Sequence, residues 1–279
     1  MSKELSRTMT TTFETPAQPD RRPGPEPRKP LLRGLAVVLA VAAAILVPAW
    51  QFTSGFGLSA AQFSAEGDQT LKAAPWAFAI WGLIYAWLAV YALAQLWPGR
   101  ETPRQHVLVW ASVVPILGCA AWIIASALDA RWPSVCIILV SAAFLTGELL
   151  RAAQSPGSRS EALLVVWPLG LLAGWLSVAA ALNLLTVMTA NGLIPAAQAE
   201  LYALGGIAAV TVWSLAMQRH ITAPTFGLAV AWGLIGVAAA SIDADSIKGG
   251  AAGIAALACA LSALFFRCRP ALRPEPAPV

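Results

Sequence analysis

Long apolar segments separated by short polar ones repeat along most of the chain. An α-helix rises ~1.5 Å per residue, so about 20 apolar residues cross the ~30 Å hydrocarbon core of a bilayer. The connections after residue 74 are short, which favours antiparallel neighbours. The pattern therefore predicts an all-α integral membrane bundle of about eight transmembrane helices, over residues 34–52, 75–97, 107–128, 133–150, 162–188, 201–217, 223–241 and 249–266.

The second span, PWAFAIWGLIYAWLAVYALAQLW, is unusually aromatic. It contains no charge and holds Trp76, Trp81, Trp87 and Trp97. Transmembrane helices mostly keep aromatic residues for the two interfaces, whereas Trp81 and Tyr85 lie toward the middle of this one. Phe78, Trp81 and Tyr85 follow spacings of three and four, so we expect them to share one helix face.

The fifth span combines a similar face with small residues. Trp175, Ala179 and Leu182 share a face, with Asn183 alongside them. A buried Asn in a bilayer needs a partner, either on a neighbouring helix or on a ligand. Gly174 and Ser177 belong to a flat side that would let another helix or a planar ligand approach closely.

Composition supports the membrane assignment. The chain is 58% apolar and 11% charged, with a mean hydropathy of +0.68, against roughly 25% charged residues in soluble domains. Residues 1–30 are rich in Pro and polar groups and predict a disordered cytoplasmic tail. A cleaved signal peptide is the rival interpretation of the first span, but a 30-residue lead-in is long for one.

Charge placement predicts the topology. Cytoplasmic loops collect Lys and Arg, and eight spans with both termini inside place fifteen of the 18 Lys and Arg residues in the cytoplasm. Only Lys72, Arg131 and Lys248 fall outside. The sequence therefore predicts a multi-pass protein of the cell membrane with both termini cytoplasmic. The pI near 9.1 follows from this topology and gives no support for nucleic-acid binding.

The sequence lacks the motifs that are typical of catalytic, phosphate-binding and metal sites. It has no phosphate-binding loop, nucleophile elbow or paired carboxylates, and its four Cys lack metal-ligand spacing. Ionisable residues, which mark ion and proton pathways, occur only at the ends of spans. We therefore expect a non-enzymatic protein without a metal or a required cofactor.

Three segments resemble the TspO/MBR family of tryptophan-rich sensory proteins, which includes the translocator protein. PWAFAIWGLIY resembles the family's W-x-F-x-x-x-W-T-x-L-Y, and WLSVAAALN at 175–183 is similar to W-x-S-F-A-x-x-L-N. GCAAWIIA in the third span is similar to its N-x-x-W segment, with Trp122 matching and Cys119 in place of Asn. One residue is missing between Trp76 and Trp81, and Gly82 replaces Thr.

The resemblance covers residues 75–188, and family members of the usual kind have five spans. It implies a divergent branch: a TspO-like bundle over 31–190, three further helices over 191–267, and a short basic tail over 268–279. It also implies a cavity for a hydrophobic planar ligand such as a tetrapyrrole. The implied ligand-binding residues are Trp76, Phe78, Trp81, Tyr85, Trp122, Trp175, Ala179 and Asn183.

In this arrangement Trp76 and Trp81 would stack on the ligand, Trp122 and Trp175 would close its other side, and Asn183 would donate a hydrogen bond. Expected partners are a porphyrin-like molecule and membrane lipid, with a homodimer as one option. Two other functions stay open. One is a permease or facilitator for a small neutral or hydrophobic solute, and the other is a structural protein whose Pro-rich tail docks a partner.

Overall fold

A computed structural model describes residues 29–66, 70–96, 103–154, 157–242 and 247–267. Within these residues, eight helices are long and apolar enough to cross a membrane, as the hydrophobic pattern predicts. Both predicted tails lie outside the described residues, except for Lys29 and Pro30, which begin the first helix. Trp97, the last residue of the predicted second span, also lies outside them.

The helices are α1 (Lys29–Ser54), α2 (Ala60–Ala65), α3 (Ile80–Ala94), α4 (Pro103–Ala127), α5 (Arg131–Ala153), α6 (Arg159–Glu161), α7 (Trp167–Ala190), α8 (Ala199–Gln218), α9 (Pro224–Ser241) and α10 (Ile247–Arg267). A 3₁₀ turn, Pro75–Ala79, leads into α3, and another, Ala196–Gln198, leads into α8. A π-helical turn, Ala162–Val166, joins α6 to α7. The eight spans are therefore α1, α3, α4, α5, α6 with α7, α8, α9 and α10.

The centre of the bundle is α7. In its most apolar stretch 72% of the residues are buried, against 22% in α8. A helix that is apolar all round has no polar face to turn outward, so it can occupy the interior. Outer helices instead present large apolar side chains, such as Leu39, Val212 and Ile254, on the surface that a bilayer would cover.

Glycines bring α7 and α9 into close contact. A Cβ at Gly174 would lie 2.2 Å from the carbonyl oxygen of Phe226, and one at Gly170 would lie 2.5 Å from the Cβ of Ala223. The Thr225 hydroxyl adds a 2.7 Å hydrogen bond to the Trp167 carbonyl. The flat side of α7 that the sequence predicts around Gly174 therefore packs against another helix, α9.

One hydrophobic core contains buried residues from every spanning helix, from Val37 in α1 to Cys259 in α10. The core joins the last three spans to the first five. The division at residue 190 into two units stays a prediction.

The start of α7 is fixed to α3 through an altered helix turn. The Trp167 N–H bonds to the Ala162 carbonyl in the π-helical pattern, and Pro168 has no N–H to offer. The nearby Leu163 carbonyl instead accepts a 3.0 Å hydrogen bond from the indole Nε1 of Trp87. This contact positions the aromatic helix α3 against α7.

Candidate functional site

A cavity lies among α2, α3, α4, α5 and α7. Seven of the eight predicted ligand-binding residues line it: Phe78, Trp81, Tyr85, Trp122, Trp175, Ala179 and Asn183. Leu182, which shares the predicted face of the fifth span, lines it too. The helical spacings on the second and fifth spans thus place side chains around one space. Their role in binding stays a prediction.

Aromatic rings from α3 and α7 form one wall of the cavity. The rings of Trp81 and Tyr85 stack, with centroids 5.2 Å apart and planes 24° apart. Trp175 meets Trp81 and Phe78 edge to face, at centroid distances of 6.2 and 6.0 Å. Both geometries are favourable for aromatic pairs. Trp175 therefore lies on the same side as Trp81, whereas the resemblance implied opposite sides.

The other wall comes from α2 and α4. Phe63 of α2 meets Trp122 of α4 edge to face at 6.2 Å. Phe63 is absent from the predicted site, although the sequence marks its helix. Ser59 and Gln62 form a capping box, in which each side chain bonds the other residue's backbone N–H. The S-x-x-Q pattern before an apolar residue could have revealed this helix.

The loop that carries α2 is fastened to the C-terminal end of α4 and to the start of α5. The Leu58 N–H donates to the Ala127 carbonyl at 3.0 Å. Gly57, at φ +60°, lies so close to that carbonyl that a Cβ would be 2.1 Å from its oxygen. Arg131 at the start of α5 forms a 3.1 Å ion pair with Glu66 just after α2. These contacts hold Phe63 and Ser64 over the cavity.

The Asn183 amide is engaged by other helices. Its Nδ2 donates to the Ser134 hydroxyl of α5 at 3.0 Å, and its Oδ1 accepts a longer 3.4 Å hydrogen bond from the Trp122 indole. Asn183 is only 5% exposed. The predicted need for a partner is thus met within the bundle, and the amide ties α4, α5 and α7 together beside the cavity.

Trp76 is the predicted site residue that lies elsewhere. Its ring is 45% exposed and meets Trp232 of α9 edge to face at 5.2 Å. The Trp232 indole donates to the Ala77 carbonyl at 2.8 Å, which holds this pair on the outer side of α3. Trp76 lies in the 3₁₀ turn before α3, whereas Trp81 lies in the first turn of α3. The two rings therefore do not share a helix face.

The cavity is apolar and narrow. No Asp, Glu, Lys, Arg or His is among the described residues that line it. The Cys119 thiol, at the position where the family pattern has Asn, donates to the Pro115 carbonyl at 3.3 Å. The volume of the cavity is about 50 Å³, whereas a cavity of about 150 Å³ takes up benzene. In this form the space is therefore too small for a planar ligand.

Comparison with known protein families matches most of the chain. A profile described as TSPO-like protein matches residues 34–266, from α1 into α10. The match includes the last three spans as well as the residues that line the cavity. No curated protein and no solved structure gave a significant match.

Proposed function

The chain belongs to the TSPO-like protein family, as the resemblance predicts, and we propose that it binds a hydrophobic planar ligand in the cavity between α2, α3, α4, α5 and α7. A porphyrin is the first candidate. The proposed binding residues are those that line the cavity in both walls: Phe63, Phe78, Trp81, Tyr85, Trp122, Trp175, Ala179 and Asn183.

The observation that carries this proposal is the meeting of aromatic residues from separate helices around one uncharged space. Ligand sites are mostly apolar and aromatic, with a few polar groups that set orientation. Flat rings such as Trp81 and Tyr85 offer large contact areas to a flat ligand. The absence of charged residues among the described lining favours a ligand core that is neutral and apolar.

Binding requires the cavity to widen, since about 50 Å³ is too small for one aromatic ring. We assign this movement to α2. It is six residues long and covers the cavity with Phe63 and Ser64. The remaining walls belong to long membrane helices, whereas α2 is a single short helix. It is held by the Leu58–Ala127 backbone hydrogen bond, by an ion pair that is about one-third exposed, and by the packing of Phe63 against Val135 and Val187. Displacement of α2 would open the site from the outer face.

Protoporphyrin titration tests the function. The full chain in lipid nanodiscs is titrated with protoporphyrin IX, and the shift of its Soret absorbance is followed. Trp175→Ala should weaken binding by about fivefold or more, because it removes an aromatic contact of about 1 kcal/mol. Asn183→Ala should have a similar effect, because it removes the amide that accepts from the Trp122 indole and so frees a ring of the cavity wall. Trp213→Ala, which changes a Trp outside the cavity lining, serves as the control. Binding by both cavity variants as tight as that of the unmutated chain would refute this site.

We further propose that the protein lies in the plasma membrane with both termini in the cytoplasm, on the strength of its Lys and Arg distribution. Ser160 and Asn191 are exposed at opposite ends of the α6–α7 span. In intact cells, a membrane-impermeant maleimide should label Asn191→Cys and spare Ser160→Cys until the cells are permeabilised. The reverse pattern would mean the opposite orientation.

A further inference from the structure

A second space lies between α3 and α9, as a groove with α7 at its bottom. It shares no lining residue with the aromatic cavity. Leu83 of α3 and Leu228 of α9 line it and are 54% and 40% exposed, whereas Leu171 of α7 is only 5% exposed. The groove therefore reaches from the surface that a bilayer would cover down to the central helix.

Contacts before α3 hold α9 beside one end of this groove. The Ala74 N–H donates to the Gly236 carbonyl at 2.9 Å, and a Cβ at Gly236 would lie 2.6 Å from the Cβ of Ala77. The lining then follows the chain from Ala79 to Trp87, which is about 12 Å at ~1.5 Å per residue. The groove is thus elongated along the helices, and its length is close to one leaflet's share of the ~30 Å hydrocarbon core.

The polar side chains of the groove lining are bonded within the protein. The indoles of Trp87 and Trp232 donate to backbone carbonyls at 3.0 and 2.8 Å, and the Thr225 hydroxyl donates to another at 2.7 Å. The other described lining residues are Ala, Ile and Leu. An occupant therefore meets apolar and aromatic surface, with no charge and no open hydrogen-bonding side chain in the described lining.

The size of the groove fits one alkyl chain. Its volume is about 410 Å³, and since ~150 Å³ takes up the six carbons of benzene, it corresponds to about 16 carbon atoms. Spread over ~12 Å, this volume gives a cross-section of about 34 Å², which is less than half that of a helix about 10 Å across. A helix from a second copy of the chain would therefore not enter the groove.

We propose that the groove holds the acyl chain of a membrane phospholipid, which the protein retains while other bilayer lipids exchange around it. The uncharged lining has no partner for the carboxylate of a free fatty acid, whereas a phospholipid keeps its head among the other headgroups. A chain over Leu171 packs against α3, α7 and α9 at once, and so links the last three spans to the first five. This inference does not rest on the proposed function.

Native mass spectrometry of the full chain, released from detergent micelles, tests the retention. The unmutated chain should carry one phospholipid after extensive washing in detergent. Ala79→Phe places a ring in the groove and should lower the lipid-bound fraction about fivefold or more. Ala208→Phe is the matched control, because Ala208 is an exposed alanine of α8 outside the groove lining. This control should keep the lipid.

Three results would overturn the inference. The first is an unmutated chain that carries no phospholipid or carries a fatty acid instead. The second is an Ala79→Phe variant that carries as much phospholipid as the control. The third is a bound second copy of the chain that Ala79→Phe releases, since the occupant would then be protein. Protoporphyrin titration reports on the aromatic cavity separately, so these results leave the proposed function as it stands.

If Ala79→Phe does not fold, photolabelling of the unmutated chain decides. The chain is reconstituted with phosphatidylcholine that carries a diazirine in mid-chain, the proteoliposomes are fused with excess unlabelled vesicles, and the mixture is irradiated. Label should remain on Leu83 and Leu228 of the groove. It should be lost from Leu39 and Val212, although these are 69% and 68% exposed. Equal loss of label from all four residues would overturn the inference.

Discussion

Asn183 of α7 and Ser134 of α5 are joined by a 3.0 Å hydrogen bond beside the aromatic cavity. The Ser134 hydroxyl in turn donates to the Arg131 carbonyl at 2.7 Å, so the bond links α7 to the first turn of α5. Both residues are buried. A polar pair inside a membrane bundle contributes to stability even where no ligand is present.

Asn183→Ala should therefore lower the free energy of unfolding of the ligand-free protein by about 1 kcal/mol, which is within the range of interhelical hydrogen bonds in membranes. Thermal unfolding followed by Trp fluorescence measures this. Asn191→Ala is the control, because Asn191 is the C-cap of α7 and, among the described residues, its amide donates to the Val187 carbonyl of that same helix and to no other helix. Equal stability of the two variants would show that the Asn183 bonds contribute little.

Trp76→Ala should leave porphyrin affinity unchanged, since its ring contacts Trp232 outside the cavity. Trp81→Ala should weaken the affinity by about fivefold through loss of an aromatic contact. Soret titration compares the two variants directly. A loss of affinity in Trp76→Ala as large as that in Trp81→Ala would contradict the arrangement of α3 seen here.

Gly174→Ala should destabilise the protein by about 2 kcal/mol, because its new methyl group would overlap a backbone carbonyl that no rotamer change can move. The matched control is Gly147→Ala in α5, where a Cβ meets nothing within 4 Å. Thermal unfolding should show a lower midpoint for Gly174→Ala alone. Unchanged stability would mean that α7 and α9 pack less closely than their glycines indicate.

Gly57→Ala should loosen the cover over the cavity and speed both association and release of porphyrin. Gly55 and Gly57 have similar positive φ angles, +64° and +60°, yet only a Cβ at Gly57 would strike the Ala127 carbonyl. Gly55→Ala therefore controls for backbone strain. Stopped-flow rates that rise equally in both variants would argue against α2 as the moving element.

The number of membrane spans and their approximate first and last residues could be predicted, because they depend on the local composition of the sequence. The cavity faces of α3 and α7 could be predicted as well, since Trp81 and Tyr85 on α3, and Trp175, Ala179 and Leu182 on α7, follow helical periodicity. Local pattern gives no information on which distant residues meet. The partner of Asn183 is 49 residues away on another helix, and Phe63 reaches the cavity from a loop.

The central position of α7 in the bundle also could not be predicted from the local sequence pattern. Several spans are similarly apolar, and burial depends on how the helices arrange around each other. Trp76 shows a further limit. The residues Pro75–Ala79 form a 3₁₀ turn before α3, so α-helical spacing does not extend through them. Family resemblance supplied Trp76 as a candidate, and the geometry of this segment turned its ring outward.

The close contact of α9 with α7 has a consequence for assembly. Gly170 and Gly174 form a surface that needs another helix against it, and α9 of the same chain provides that helix. Because the two are covalently joined, this partner is present at a fixed ratio and does not dissociate on dilution. The packing of the central helix should therefore be insensitive to how densely the protein populates the membrane, unlike an interface between separate subunits.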